Sequence, residues 1–366
     1  MTKLQNLTEL GQSIWYDNIR RALIDSGELQ ELIDSGVMGI TSNPSIFEKA
    51  ITGSADYDEA IRALAGEGKS AEAIYEILAI EDIQRAADML RPIYDRMNGR
   101  DGYISLEVSP TPAHDTEGTI SEALRLHGLL GRPNVMIKVP ATPAGIPAIQ
   151  RLIGEGININ VTLIFGLSTY EAVSEAYIAG LETLAGKGGD IGQVASVASF
   201  FVSRVDTAVD AALSGIGNTS LQGRIAIANS KVAYGRFRET LAQERWQVLA
   251  RQGARVQRLL WASTGTKNPV YPDTLYVDAL IGADTVNTVP PATLNAFVDH
   301  GTVAATLAEG LDDAKQQLAR LAELGIDLEA ITRKLLDEGV AAFAKSFESL
   351  MTGVHEKLEK FRSDDG

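Results

Sequence analysis

The sequence predicts an α/β chain folded as a closed (β/α)8 barrel, with extra helices between strands two and three and at the C-terminus. Three observations carry that expectation. Short apolar runs of strand length, each with β-branched or aromatic content, occur eight times along the 366 residues. Longer segments of helical character separate them, which implies parallel strands joined by right-handed crossovers. No Pro- or Ser-rich stretch, charge block or fixed-period repeat divides the chain, and its 12 prolines are scattered. Residues 1–366 therefore read as one barrel domain, within the usual size of that fold. The competing architecture is a doubly wound open sheet. Its dinucleotide-binding form wants a glycine fingerprint after the first strand, and Trp15-Tyr16-Asp17-Asn18 offers none.

The expected strands fall at 13–17, 37–41, 103–108, 135–139, 157–164, 194–201, 258–262 and 285–289. Between the second and third, residues 53–102 hold at least two helices. One of them, 71–97, begins after an N-cap at Ser70 and carries Glu72 in its first turn. Segments 221–249 and 312–324 are similar. The final helix sets Ile331, Leu335, Leu336, Val340, Phe343, Phe347, Leu350, Val354 and Leu358 at three- and four-residue steps, a single apolar stripe. Gly66-Glu67-Gly68-Lys69-Ser70 imitates the tail of a phosphate loop. The glycine needed five residues before Gly68 is Ala63, and a helical stretch at 57–64 stands where a strand is required. The segment reads as a helix–helix turn.

Composition narrows the function classes. With 33 Lys and Arg against 48 Asp and Glu the formal charge is −15, which argues against a nucleic-acid partner. A small anionic substrate stays open, because a few local cations can overrule net charge. The longest apolar runs, such as 194–202, are too short to span a bilayer. Met1-Thr2-Lys3-Leu4-Gln5-Asn6 lacks the apolar core of a signal peptide. No membrane contact and a cytoplasmic location are expected. The absence of cysteine removes disulfides, thiolate nucleophiles and Cys-ligated zinc. His114, His127, His300 and His355 form no ligand pair at helical or strand spacing, so no metal or other cofactor is expected. No decisive apolar patch sets the oligomeric state, which stays between monomer and homodimer.

In a barrel the catalytic groups sit at the C-terminal ends of the strands. The runs here end in Asp17, Thr41-Ser42-Asn43, Glu107, Lys138, Asn160 with Thr162, Ser199 and Ser263. Lys138 lies inside Val135-Met136-Ile137-Lys138-Val139-Pro140 and shares a face with Met136. An inward face would bury the amine, which disfavours its charged form, and a neutral amine can attack a carbonyl and form a Schiff base. The alternative is a strand-end lysine that snorkels to water. Glu107 and Asp17 would supply proton transfer beside such an amine, or else cap the next helix or pair with a base. Asn160 and Thr162 share a face and need partners when buried; a ligand hydroxyl, an ordered water or neighbouring strands would serve. Asn43-Pro44-Ser45 suits a helix start, with Asn43 as cap and Pro44 at the first helical position. Arg204, and Ser263 with Lys267 in Ser263-Thr264-Gly265-Thr266-Lys267, follow strands six and seven, where barrels often bind phosphate. A solvated surface pair is the alternative.

Taken together these residues resemble the transaldolase family. Gly39-Ile40-Thr41-Ser42-Asn43-Pro44-Ser45-Ile46-Phe47 is similar to its N-terminal motif. Met136-Ile137-Lys138-Val139-Pro140-Ala141-Thr142-Pro143-Ala144-Gly145 is similar to the motif around its Schiff-base lysine, and Asn160-Val161-Thr162-Leu163-Ile164-Phe165 to a third block. The resemblance runs from about residue 10 to residue 355. It implies a (β/α)8 barrel and a transferase of aldehyde or ketone residues in the pentose phosphate pathway. That enzyme moves a dihydroxyacetone unit from sedoheptulose 7-phosphate to glyceraldehyde 3-phosphate, giving erythrose 4-phosphate and fructose 6-phosphate. Carried over, Lys138 would form the Schiff base, and Asp17 would act on the hydroxyl whose deprotonation breaks the carbon–carbon bond. Glu107 and Thr162 would hold and activate a water. Asn43, Asn160 and Ser199 would bind donor hydroxyls, and Arg204 and Ser263 the phosphate. Many family members have a second phosphate-binding arginine after strand seven. This chain has Thr264-Gly265-Thr266-Lys267-Asn268-Pro269, so the role falls to Lys267, a point charge instead of a fork. The helices at 53–102 resemble the longer branch of the family, some of whose members are fused to phosphoglucose isomerase.

Two other functions compete. A fructose 6-phosphate aldolase would use the same lysine but release dihydroxyacetone; Asp17 and Phe165 speak for transfer. A non-catalytic sugar-phosphate-binding barrel would not need Lys138 and both carboxylates, all of which are present.

Overall fold

The computed structural model describes residues 2–364. Its sheet is a closed barrel of eight parallel strands in sequence order. They are β1 (Gln12–Tyr16), β2 (Val37–Thr41), β3 (Ile104–Glu107), β4 (Val135–Pro140), β5 (Ile159–Ile164), β6 (Ser196–Phe201), β7 (Arg258–Ala262) and β8 (Thr285–Val289), with β8 pairing back onto β1. Strands covered on both faces read as unbroken apolar runs instead of alternating ones, and of all the strand residues only Glu107 falls short of full burial. Strand ends moved little from expectation. Asp17 lies just past β1, although its N–H still bonds the Val289 carbonyl at 2.9 Å.

Three helices follow β2: Pro44–Thr52, Asp58–Gly66 and the long helix Ala71–Arg96. Asn43 caps the first, accepting the Ile46 N–H at 3.0 Å with Pro44 at the first position. Ser70 caps the third, and the glycine-lysine segment before it is a plain turn with Gly68 at φ +75°. The expected helix at 221–249 is two helices, Ile225–Ala242 and Glu244–Arg251, broken at an extended Gln243. No Gly or Pro marks the break, and the second helix buries Trp246 and Leu249 in the core.

The C-terminal helix, Leu328–Asp364, packs on the three helices after β2 and on β5. Leu163 of β5 holds φ +60°, where the register slips between Val161 and Ile164. A bulky residue seldom adopts that conformation. Its side chain fills the notch at Gly339 of the C-terminal helix, where a Cβ would come within 2.9 Å of it. The opposite end of the barrel is plugged by a buried Arg258–Asp101 pair at 3.0 Å, with the Trp15 indole also donating to Asp101 at 2.7 Å. Among the described residues no helix is long and apolar enough to cross a membrane.

Candidate active site

Asp17, Asn43, Lys138, Thr162, Ser199, Arg204, Ser263 and Lys267 line one cavity of about 500 Å³ at the C-terminal ends of the strands. That size suits a small ligand. Parallel register creates the cluster: Glu107 pairs with Lys138, Lys138 with Asn160, and Pro140 with Thr162. Lys138 points inward and is 5% exposed, so the snorkelling alternative does not describe it. Its Nζ donates to the Ser42 carbonyl at 3.1 Å and lies 3.3 Å from Glu107 Oε2. The Phe343 ring stands over it, 5.8 Å from Nζ to centroid.

Burial pushes the Asp17 carboxyl above the usual range, against the pull of Lys138, the Thr41 hydroxyl and Lys267. Burial also raises Glu107, again opposed by Lys138, while Asp17 adds to the rise. Burial thus pushes both carboxyls toward their protonated forms, and both feel the charge of the same amine. Thr41 donates to Asp17 Oδ1 at 2.7 Å, and its oxygen lies 2.5 Å from that of Thr288. Since Thr41 spends its only proton on Asp17, Thr288 is the donor in the second bond.

Thr162 Oγ1 and Glu107 Oε2 are buried and have no hydrogen-bond partner among the described residues. Buried polar atoms are rarely left so, and a ligand or water is the natural occupant. Asn160 is different. Its amide donates to Ser105 Oγ at 3.1 Å and its carbonyl accepts from Ser199 Oγ at 2.7 Å, so neighbouring strands satisfy it. It lies beside Lys138 in the sheet, and Ser199 connects it to the cavity wall.

Arg204 and Lys267 bring positive charge to the cavity wall. Arg204 lies in the first turn of the helix Ser203–Gly215 with its guanidinium 5.7 Å from the centroid of the Phe201 ring. Ser263 holds φ +55° and lies 3.0 Å from Ser203 through the hydroxyls. Lys267 is exposed on the loop beyond. Neither Arg204 nor Lys267 has an ion-pair partner among the described residues, which leaves both free to meet an anion.

Several lining residues were not singled out from the sequence. Thr288 is a polar residue inside the eighth apolar run, the same signal that marked Lys138 in the fourth. Arg20 and Lys49 line the cavity from the segments after β1 and β2. Phe343 was counted with the core stripe of the last helix, and only the tertiary fold brings it to Lys138. Among the described residues no group of three or more His, Cys, Asp or Glu could hold a metal ion.

Comparison with known proteins agrees with this geometry. The family profile described as Transaldolase/Fructose-6-phosphate aldolase matches residues 14–354. The chain is 48% identical to "Transaldolase 2" of Nostoc sp., over 97% of both chains. It is 48% identical to a "Transaldolase" of Saccharopolyspora erythraea, over 98% of both. To a "Transaldolase" of Thiobacillus denitrificans it is 47% identical, over 97% of this chain and 100% of that one.

Proposed function

The chain belongs to the transaldolase/fructose-6-phosphate aldolase family, and from that premise we propose a transaldolase reaction run by Lys138. A dihydroxyacetone unit passes from sedoheptulose 7-phosphate to glyceraldehyde 3-phosphate, yielding erythrose 4-phosphate and fructose 6-phosphate. The Lys138 amine adds to the ketose carbonyl, and loss of water gives an iminium. Asp17 takes the proton of the hydroxyl on the far carbon of the bond to be cut, which becomes the aldehyde carbon of the leaving aldose. That bond breaks, its electron pair flows to the iminium, and the aldose phosphate leaves. The enamine attacks the incoming aldehyde, Asp17 returns its proton to the new hydroxyl, and water releases the product from Lys138.

Glu107 moves protons to and from the amine and, with Thr162, holds the water that enters and leaves. Asn43 and Ser199 bind donor hydroxyls, with Asn160 holding Ser199. Arg204, Ser263 and Lys267 bind the phosphate. The protein's own amine is the electron sink, so the scheme needs no metal or other cofactor. It treats residues 1–366 as one catalytic barrel acting on sugar phosphates in the cytoplasm.

The observation that carries this reading is the Lys138 amine, buried at a cavity wall 3.3 Å from the Glu107 carboxyl and sharing that cavity with Asp17. The test is glyceraldehyde 3-phosphate release from fructose 6-phosphate, with and without erythrose 4-phosphate. Acceptor-dependent release is expected; release without acceptor would make the chain an aldolase. Borohydride should trap substrate on the wild type and not on Lys138→Ala, and a trapped adduct on that variant would remove Lys138 from the scheme.

A further inference from the structure

Glu107 lines a second, smaller space. A chamber of about 110 Å³ lies beside the main cavity, between β3, the long helix, the helix Thr116–Leu130 and the C-terminal helix. Glu107 and Asn43 line it, and Asn43 also lines the main cavity. Tyr75, Phe47 and Phe347 form an aromatic wall, with Tyr75 edge-on to both rings at centroid distances of 6.0 and 5.7 Å. Glu76 and Glu122 line the chamber too, and both reach solvent, where Arg125 pairs with them.

Polarity decides whether such a space is wet. A cavity of this size lined by apolar groups alone stays dry, whereas a water needs two to four polar partners. Here the buried Glu107 Oε2 has no hydrogen-bond partner among the described residues. Its one close polar neighbour among them is the Lys138 amine, a long contact at 3.3 Å. A buried carboxyl oxygen with a single long contact is poorly satisfied, and a water beside Glu107 would supply a further partner. Glu107, 3.3 Å from Lys138, thus shares a chamber with Glu76 and Glu122, whose side chains reach solvent. Tyr75 lines the same chamber, its phenol held far above the usual range by burial and by the charges of Glu107, Glu76 and Glu122. It therefore keeps its proton and can donate to a water in the chamber.

We propose that this chamber is a water site that supplies Glu107 with water and protons from the side, without passage through the substrate cavity. The inference rests on the role given to Lys138 and Glu107 above. Forming the iminium expels one water and hydrolysing it consumes one, each time with a proton transfer at the amine. A substrate that fills the main cavity blocks the direct route to solvent. The chamber leaves a second route open, through Glu107, while the reacting carbons stay covered. Tyr75 is a positioning residue in this scheme, orienting the water that touches Glu107.

The experiment follows oxygen. In water enriched in oxygen-18, reversible iminium formation replaces the carbonyl oxygen of fructose 6-phosphate, measured by mass spectrometry above the uncatalysed rate. Ala79 lines the chamber and is 2% exposed, so Ala79→Phe fills it. The expected result is exchange slowed by about tenfold or more, with KM for fructose 6-phosphate unchanged and borohydride trapping on Lys138 intact. A folded Ala79→Phe that exchanges at the wild-type rate overturns the proposal. Tyr75→Phe keeps the shape and removes the donor, so it decides if Ala79→Phe does not fold. It should slow exchange and move the acidic limb of the kcat profile to higher pH, since the Glu107 carboxylate loses a stabilising donor. An unmoved profile with unchanged exchange also overturns it. Failure of the underlying reading looks different: the wild type itself would give no adduct on Lys138.

Discussion

Asp17 is held in a state that serves chemistry at the expense of stability. Its carboxyl is raised because burial outweighs the stabilising influence of Lys138, Thr41 and Lys267. The folded protein therefore holds more protons at this group than the unfolded chain does, from about pH 4 upward, and stability falls as pH rises through that window. Asp17→Asn keeps an oxygen to accept from Thr41 and cannot ionise. It should be more stable than the wild type at pH 7, with the gain shrinking as pH falls toward 4, as read from urea melts across that range. Its kcat should fall by about 10²–10⁴ with little change in KM, the loss expected for a general base. A variant with lowered kcat and no stability gain would mean that Asp17 is not strained in the resting enzyme. Lys267 belongs to the other class. It is exposed and unpaired among the described residues, so Lys267→Ala should raise KM for sugar phosphates by roughly tenfold, the scale of one charge-assisted bond. Its kcat should be nearly unchanged in steady-state kinetics.

Between elements, a buried polar cluster ties the segment after β1 to the helices after β2. Arg21, just after the β1 loop, donates through Nε and Nη2 to Asp82 Oδ1 on the long helix at 3.0 and 2.9 Å. Tyr57 closes the cluster, donating to Asp82 Oδ2 at 2.8 Å and accepting the Arg21 N–H at 2.9 Å. Asp82 is fully buried, and removing it leaves a largely buried guanidinium without its main partner. Asp82→Ala should lose about 3–5 kcal/mol in chemical denaturation. None of this cluster was legible in the sequence, because its members lie on three separate elements and carry no shared spacing. The strands were legible for the opposite reason: burial on both faces writes each one as a local apolar run. Lys138 and Glu107 stood out as charges set against such runs. Thr41 and Thr288 did not, since a threonine suits a strand whether or not it bonds to Asp17. The break at Gln243 was hidden for a similar reason, an apolar pattern that continues across a bend.

At the scale of the whole molecule the barrel has one end for stability and one for chemistry. The Arg258–Asp101 plug closes the first, and the C-terminal helix covers part of the second. That cover bears on the choice between transfer and cleavage. Both reactions share the enamine on Lys138; they diverge when water or acid reaches it before an aldehyde does. Phe343 stands over the Lys138 amine and is itself only 6% exposed. Its helix is tied down by Leu163 in the Gly339 notch and by Lys357, which donates to the Ser54 carbonyl at 2.6 Å. Phe343→Ala would open a water-sized gap at the amine while leaving Asp17, Glu107, Arg204 and Lys267 in place. Acceptor-independent release of glyceraldehyde 3-phosphate from fructose 6-phosphate should then rise relative to acceptor-dependent release, by about tenfold if the lost exclusion is worth about 1.4 kcal/mol. The variant should also lose about 3 kcal/mol of stability for the cavity left behind. The two effects separate in one experiment. A fall in stability with an unchanged release ratio would make Phe343 core packing and nothing more. A changed ratio would place the control of transfer against cleavage in the C-terminal helix, some 200 residues from the lysine it covers.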